Sequence, residues 1–111
     1  MIAKHFEIVK NIKEMGLDHI RLGFDQIVLE EAPCVYRKHI FELLARFVSW
    51  CEKYDLGVVL NLHKAIGNYC DIEEEVSLFD SEELLSRFIN LWLELEKAFH
   101  HKPNVMFELL N

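Results

Sequence analysis

The stretch Val58-Val-Leu-Asn-Leu-His63 decides the fold. Its apolar run is almost continuous, broken only by an Asn and a His toward its end. A strand with one wet face alternates strictly, whereas a run of this kind suits a parallel strand covered on both faces. Period-two alternation puts Val59, Asn61 and His63 on one face and Val58, Leu60 and Leu62 on the other. The polar residues therefore share a face and crowd the C-terminal end of the strand.

Working backward, Gly57 closes a connection from a helix whose stripe is Tyr36, Ile40, Leu43, Leu44, Phe47, Val48 and Cys51, at 3.6-residue spacing. The helix is predicted to start near Pro33, because a first-turn N–H has no intrahelical partner to lose. It fades at Lys53-Tyr-Asp55. Ahead of it, His19-Ile-Arg-Leu-Gly-Phe24 reads as a strand with His19, Arg21 and Gly23 on one face. A first helix covers about Ile2 to Met15, with Ile2, Phe6, Val9 and Ile12 aligned and Gly16 as its stop.

Working forward, Lys64 to about Phe79 is a long loop, acidic over Asp71-Ile-Glu-Glu-Glu75. A third helix opens at Asp80-Ser-Glu-Glu83, with capping-box spacing. Its stripe is Leu85, Phe88, Ile89, Trp92, Leu95 and Phe99. His100, His101 and Lys102 suit a helix C-terminus, and Pro103 forbids continuation. Asn104-Val-Met-Phe-Glu-Leu-Leu-Asn111 is the last strand. The order α-β-α-β-α-β implies three parallel strands joined by right-handed crossovers.

The 111 residues make one domain, and an apolar share of 51% is enough for a core. A net charge of −7 argues against nucleic acid and anionic membranes as partners. No apolar run approaches the roughly 18 residues of a membrane span. The N-terminus lacks the apolar segment of a signal peptide. The compartment is unknown, and cytoplasmic if this is a complete native product. Cys34, Cys51 and Cys70 are widely spaced with no CxxC pair, so buried or half-buried thiols are expected, with no metal site and no cofactor. His5, His39, His100 and His101 look helical and solvated. Trp50 and Trp92 fall on amphipathic helices and read as packing residues, and Glu73, Glu74 and Glu75 as a solvated loop.

Three parallel strands fit an open doubly wound sheet or a (β/α)₈ barrel. Gly16, Gly23, Gly57 and Gly67 are isolated and form no phosphate-binding fingerprint. Polar Arg21 within the first strand, Asn61 and His63 at the end of the second and Asn111 at the end of the third favour the barrel. A full barrel takes about 250 residues. The expected fold is therefore a partial TIM (β/α)₈ barrel over residues 1–111. Its uncovered strand edges could support self-association.

Three motifs carry a family resemblance. Gly16-Leu-Asp-His-Ile-Arg-Leu-Gly-Phe-Asp25 resembles the second-strand region of glycoside hydrolase family 5, of the form GFDHVRLPFD. Trp50-Cys-Glu-Lys-Tyr-Asp-Leu-Gly-Val-Val-Leu-Asn-Leu-His63 is similar to its WCKKYNLGLVLDMH stretch. Phe107-Glu-Leu-Leu-Asn111 resembles FELLNE without the final Glu. The motifs stand in the family's order and resemble endoglucanases of the clostridial type.

The resemblance implies a retaining hydrolase of β-linked glucans, in which one Glu protonates the leaving oxygen and a second attacks the anomeric carbon. It places the acid/base Glu immediately after Asn111 and the nucleophile on a much later strand, so no catalytic residue is expected within the chain. It gives Arg21 as the cation that keeps the nucleophile ionised, His63 as a hydrogen-bonding group where the bond is cut, and Asn111 as the holder of the sugar 2-hydroxyl. Gly23 replaces a usual Pro, Asn61 an Asp, Lys64 a His and Ile66 a Pro. A β-glucan oligosaccharide or polysaccharide is the implied partner of the parent enzyme. The chain alone is expected to be inactive, or else to work as an assembly module or a glucan-binding remnant. On its own residues, without the resemblance, Arg21 reads rather as a buried structural cation paired with Glu108 or Asp25.

Overall fold

The computed structural model describes residues 2–69 and 76–111, with side chains from Phe6 onward. Helix α1 (Ile2–Glu14) leads into strand β1 (His19–Asp25), a one-turn helix α2 (Gln26–Leu29), and a hairpin of β2 (Glu30–Ala32) and β3 (Val35–Tyr36). Helix α3 (Lys38–Lys53), strand β4 (Gly57–Lys64), helix α4 (Glu82–Phe99) and strand β5 (Val105–Glu108) follow. A single 3₁₀ turn, Leu78–Asp80, precedes α4.

The main sheet has the order β1-β4-β5, and both pairings are parallel. Leu44, Val48 and Cys51 of α3 and Leu91, Trp92, Leu95 and Phe99 of α4 form one core with Val58, Leu60 and Leu62 of β4. Val9 of α1 joins that core, and Phe6 packs edge-on against Trp50 at 5.9 Å. Burial pushes the Cys51 thiol up to about 11. The opposite face of the sheet is open: His19, Arg21 and Gly23 of β1 and Met106 of β5 are exposed. Helices thus cover one face of a sheet whose outer edges, on β1 and β5, have no strand beside them among the described residues.

Several local expectations are corrected. The chain at Pro33 turns a hairpin instead of starting a helix, and Tyr36 belongs to β3. Pro33 is followed by Cys34 at φ 59°, the residue order of a type II turn. Helix α3 begins five residues later. Leu43 is exposed, so its stripe is narrower than the pattern suggested. On α4 the buried edge includes Leu91, while Ile89 faces outward. Ser81 is the N-cap, its hydroxyl accepting from the Leu84 N–H at 3.2 Å, and Asp80 belongs to the 3₁₀ turn. Cys34 is exposed where a buried or half-buried thiol was expected. Cys70, the Asp71–Glu75 run and the His5 side chain lie outside what is described.

Residues 30–36 are held by a buried charge. The Glu30 carboxylate accepts from Nε of Arg87 on α4 at 2.9 Å, and Arg87 Nη2 also bonds to it. Gln26 Nε2 and the Cys34 N–H approach the same carboxylate at 3.4 Å. Gln26 Oε1 in turn accepts from the Ile66 N–H at 2.9 Å. The hairpin is thereby tied to the segment that leaves β4 just past His63.

Candidate functional site at the strand ends

The open sheet face carries the polar residues that the sequence marks. Register pairs Arg21 with Val59 and Val59 with Met106; one level on, Gly23, Asn61 and Glu108 stand side by side. Arg21 and Glu108 therefore lie on strands separated by β4, about 9–10 Å apart at two strand spacings. The long Arg21 side chain spans this gap diagonally. Its Nε donates to Glu108 Oε2 at 2.9 Å and its Nη2 to Glu108 Oε1 at 2.5 Å. Nη2 also donates to Asn111 Oδ1 at 3.1 Å.

Each residue is placed by its own element. Arg21 points to the open face because Ile20, Leu22 and Phe24 take the helix side of β1. Asn111 is fixed through its backbone, whose N–H donates to the Leu62 carbonyl at 3.1 Å. Trp92 secures the approach to it: the indole N–H donates to the Leu109 carbonyl at 3.0 Å, and its ring packs against Phe107 at 5.4 Å. Trp92 is thus a packing residue, as its place on an amphipathic helix indicated. His63 lies on the same face at the end of β4 and is exposed. Asp25 is not the Arg21 partner. The β1 register breaks between Phe24 and Asp25, pairing Asp25 with Lys64 and taking it out of the Arg21 row.

The Arg21 guanidinium beside Glu108 holds that carboxyl below the ordinary range; partial desolvation opposes the shift and the positive field of His63 adds to it. Because the folded pKa is the lower one, the bridge contributes fully above the unfolded-state pKa and is lost as pH falls through the folded value. A carbon NMR titration of the Glu108 carboxyl is expected to show a depressed midpoint that rises in Arg21→Ala. An unchanged midpoint would mean the bridge does not persist in solution.

Two residues at this site are not among those the sequence offers as sugar-facing or supporting groups. Glu108 was visible only as one of two optional partners for Arg21. Asn61 is 1% exposed although it lies on the open face, and its Oδ1 has no hydrogen-bond partner among the described residues. An Asp here would set a second carboxylate beside Glu108, which like-charge repulsion disfavours. No cluster of three or more His, Cys, Asp or Glu side chains suited to a metal occurs among the described residues. A groove of about 440 Å³ between β3, α3 and α4 is lined by Tyr36, Phe41, Ala98 and flanking charges, and contains none of the strand-end residues.

Known proteins are similar to this chain in sequence and in fold. The chain is 34% identical over 106 residues to Endoglucanase C of Acetivibrio thermocellus, covering 93% of this chain and 31% of that protein. It is 34% identical over 105 residues to Cellodextrinase A of Ruminococcus flavefaciens, with the same coverage. The fold superposes with TM-score 0.77 at 16% identity on the Pseudomonas stutzeri endoglucanase Cel5A in complex with cellobiose, covering 96% of this chain and 31% of that one. The architecture is that of part of a TIM barrel, and the chain spans about a third of the length of these relatives. The model of the cellulase family, glycosyl hydrolase family 5, matches residues 4–111, and the chain belongs to that family.

Proposed function

We propose that this chain forms one wall of the glucan cleft of a retaining endo-β-1,4-glucanase-type hydrolase, with Arg21, His63 and Asn111 as its sugar-facing and supporting groups. The observation that carries this reading is the Arg21–Asn111 hydrogen bond, which reaches from within β1 to the chain just past the C-terminal end of β5, the end of a parallel sheet where barrel enzymes keep their sites. In the retaining reaction a carboxylic acid gives its proton to the glycosidic oxygen while a carboxylate bonds to the anomeric carbon. Water then releases the sugar. Arg21 supplies positive charge toward the nucleophile, His63 hydrogen-bonds beside the scissile linkage, and Asn111 holds the 2-hydroxyl.

Glu108 is not the acid of that reaction. It is engaged by both ends of a guanidinium fork and its pKa is lowered, whereas a general acid needs a proton near neutral pH. Neither catalytic carboxylate falls at a matching position in the chain, and losing a general acid alone costs about 10²–10⁴ in rate. The 111-residue polypeptide is therefore expected to give no turnover on barley glucan or carboxymethyl-cellulose, and measurable release of reducing ends would overturn the assignment. A second reading, assembly through the strand edges, is favoured by β1 and β5 each having only β4 as a strand neighbour among the described residues. It requires a defined soluble dimer with a cooperative melt, where simple incompleteness gives aggregates.

A further inference from the structure

We infer that Glu108 is a positioning residue which, acting through Arg21, sets which end of the Asn111 amide the site presents. The steps are geometric. Glu108 meets Nε and Nη2 of Arg21 with its two separate oxygens. A two-point contact of this kind fixes the plane of a guanidinium, not merely its distance. With that plane set, Nη2 has a second N–H to give, and it goes to Asn111 Oδ1 at 3.1 Å.

Arginine has donors only, so the Asn111 atom facing it must be the carbonyl oxygen. The amide NH₂ is then turned to the opposite side. Since the backbone N–H of Asn111 is bound to the Leu62 carbonyl, the remaining freedom at this residue is the swing of its side chain. Arg21 removes that swing, and Glu108 keeps Arg21 in place to do so. The rim consequently offers a hydrogen-bond donor, and the ligand atom it suits is an acceptor oxygen, such as a hydroxyl lone pair. That last clause rests on the glucan reading; the chain Glu108–Arg21–Asn111 does not.

Glu108→Gln separates positioning from a purely structural tie between β1 and β5. Glutamine keeps the size but has one acceptor oxygen, so one arm of the fork is lost and the guanidinium can pivot. In ¹⁵N-labelled 111-residue chain, the Arg21 Nε–H resonance should be displaced from that of a free arginine. The Asn111 side-chain amide should show an order parameter near the rigid value of about 0.85. In Glu108→Gln the Asn111 side-chain value should fall below about 0.6 while the backbone of β4 and β5 stays rigid. A structural tie alone would loosen the β1 or β5 backbone instead. Arg21→Lys, which keeps the charge without the fork, should release Asn111 in the same way, and it decides the matter where Glu108→Gln does not fold. The inference is overturned by a mobile Asn111 side chain or an undisplaced or absent Arg21 Nε–H signal in the parent chain. A rigid Asn111 in the variants, or a loosened β1 or β5 backbone in Glu108→Gln, overturns it equally. No sugar is present in these measurements, so a failed glucan reading would show separately, as no binding of cellobiose.

Discussion

Replacing Glu30 with alanine is expected to destabilise the chain by about 3–5 kcal/mol, the usual cost of removing one partner from a buried ion pair. The Glu30 side chain is fully buried and that of Arg87 is 16% exposed, so water cannot take over the lost contacts. Alanine leaves the guanidinium without its counter-charge, and Gln26 Nε2 and the Cys34 N–H lose an acceptor as well. A domain of this size has only about 5–15 kcal/mol in total, so the loss is a large share. Urea unfolding followed by circular dichroism should show a midpoint lowered by at least 1 M, at the usual slope of about 1–3 kcal/mol per M. The control is Glu30→Met combined with Arg87→Met. Replacing both charges by apolar groups of similar length should recover most of the loss, because the penalty comes from the uncompensated charge. A single-variant loss below about 1 kcal/mol would mean that the hairpin is not anchored through this pair.

That pair also explains where sequence reading stopped. Strands β1 and β4 were legible because their apolar runs and their polar ends are local patterns. Arg21, His63 and Asn111, the groups proposed for the site, stand out for the same reason, each sitting in a motif of its own. Pro33 was not, because a proline suits the first turn of a helix and the corner of a hairpin equally. What selects the hairpin is Glu30 meeting Arg87, fifty-seven residues along the chain. Glu108 was ambiguous for a related reason. Which carboxylate Arg21 takes depends on the strand order β1-β4-β5 and on the register break before Asp25, and neither is written in the neighbourhood of Arg21. On α4, Leu91 and Ile89 fall near the two borders of the buried stripe, where a small rotation of the helix decides which one is covered.

Gly67→Ala is expected to cost about 2–5 kcal/mol, from two separable causes. The backbone there has φ +85°, which an L side chain adopts at a cost of roughly 1–2 kcal/mol. The added methyl would also lie 2.7 Å from Leu84 Cδ1, 3.0 Å from the Leu78 nitrogen and 3.1 Å from Ser77 Oγ. Leu84 can move the end of its side chain. The Leu78 nitrogen cannot retreat cheaply, since its N–H donates to the Gly67 carbonyl at 3.1 Å, alongside that of Ser77 at 2.8 Å. Overpacking of this kind typically adds about 1–3 kcal/mol. Gly16→Ala isolates the backbone part: Gly16 has φ +88° and nothing within 4 Å of a built Cβ. The difference between the two variants, read from urea midpoints at constant slope, should therefore be the steric part alone. Equal losses would mean that the turn at Gly67 is not packed against the start of α4. A larger loss at Gly67 would place this turn, which follows directly on Ile66 and its Gln26 contact, among the supports that fix the chain beyond His63.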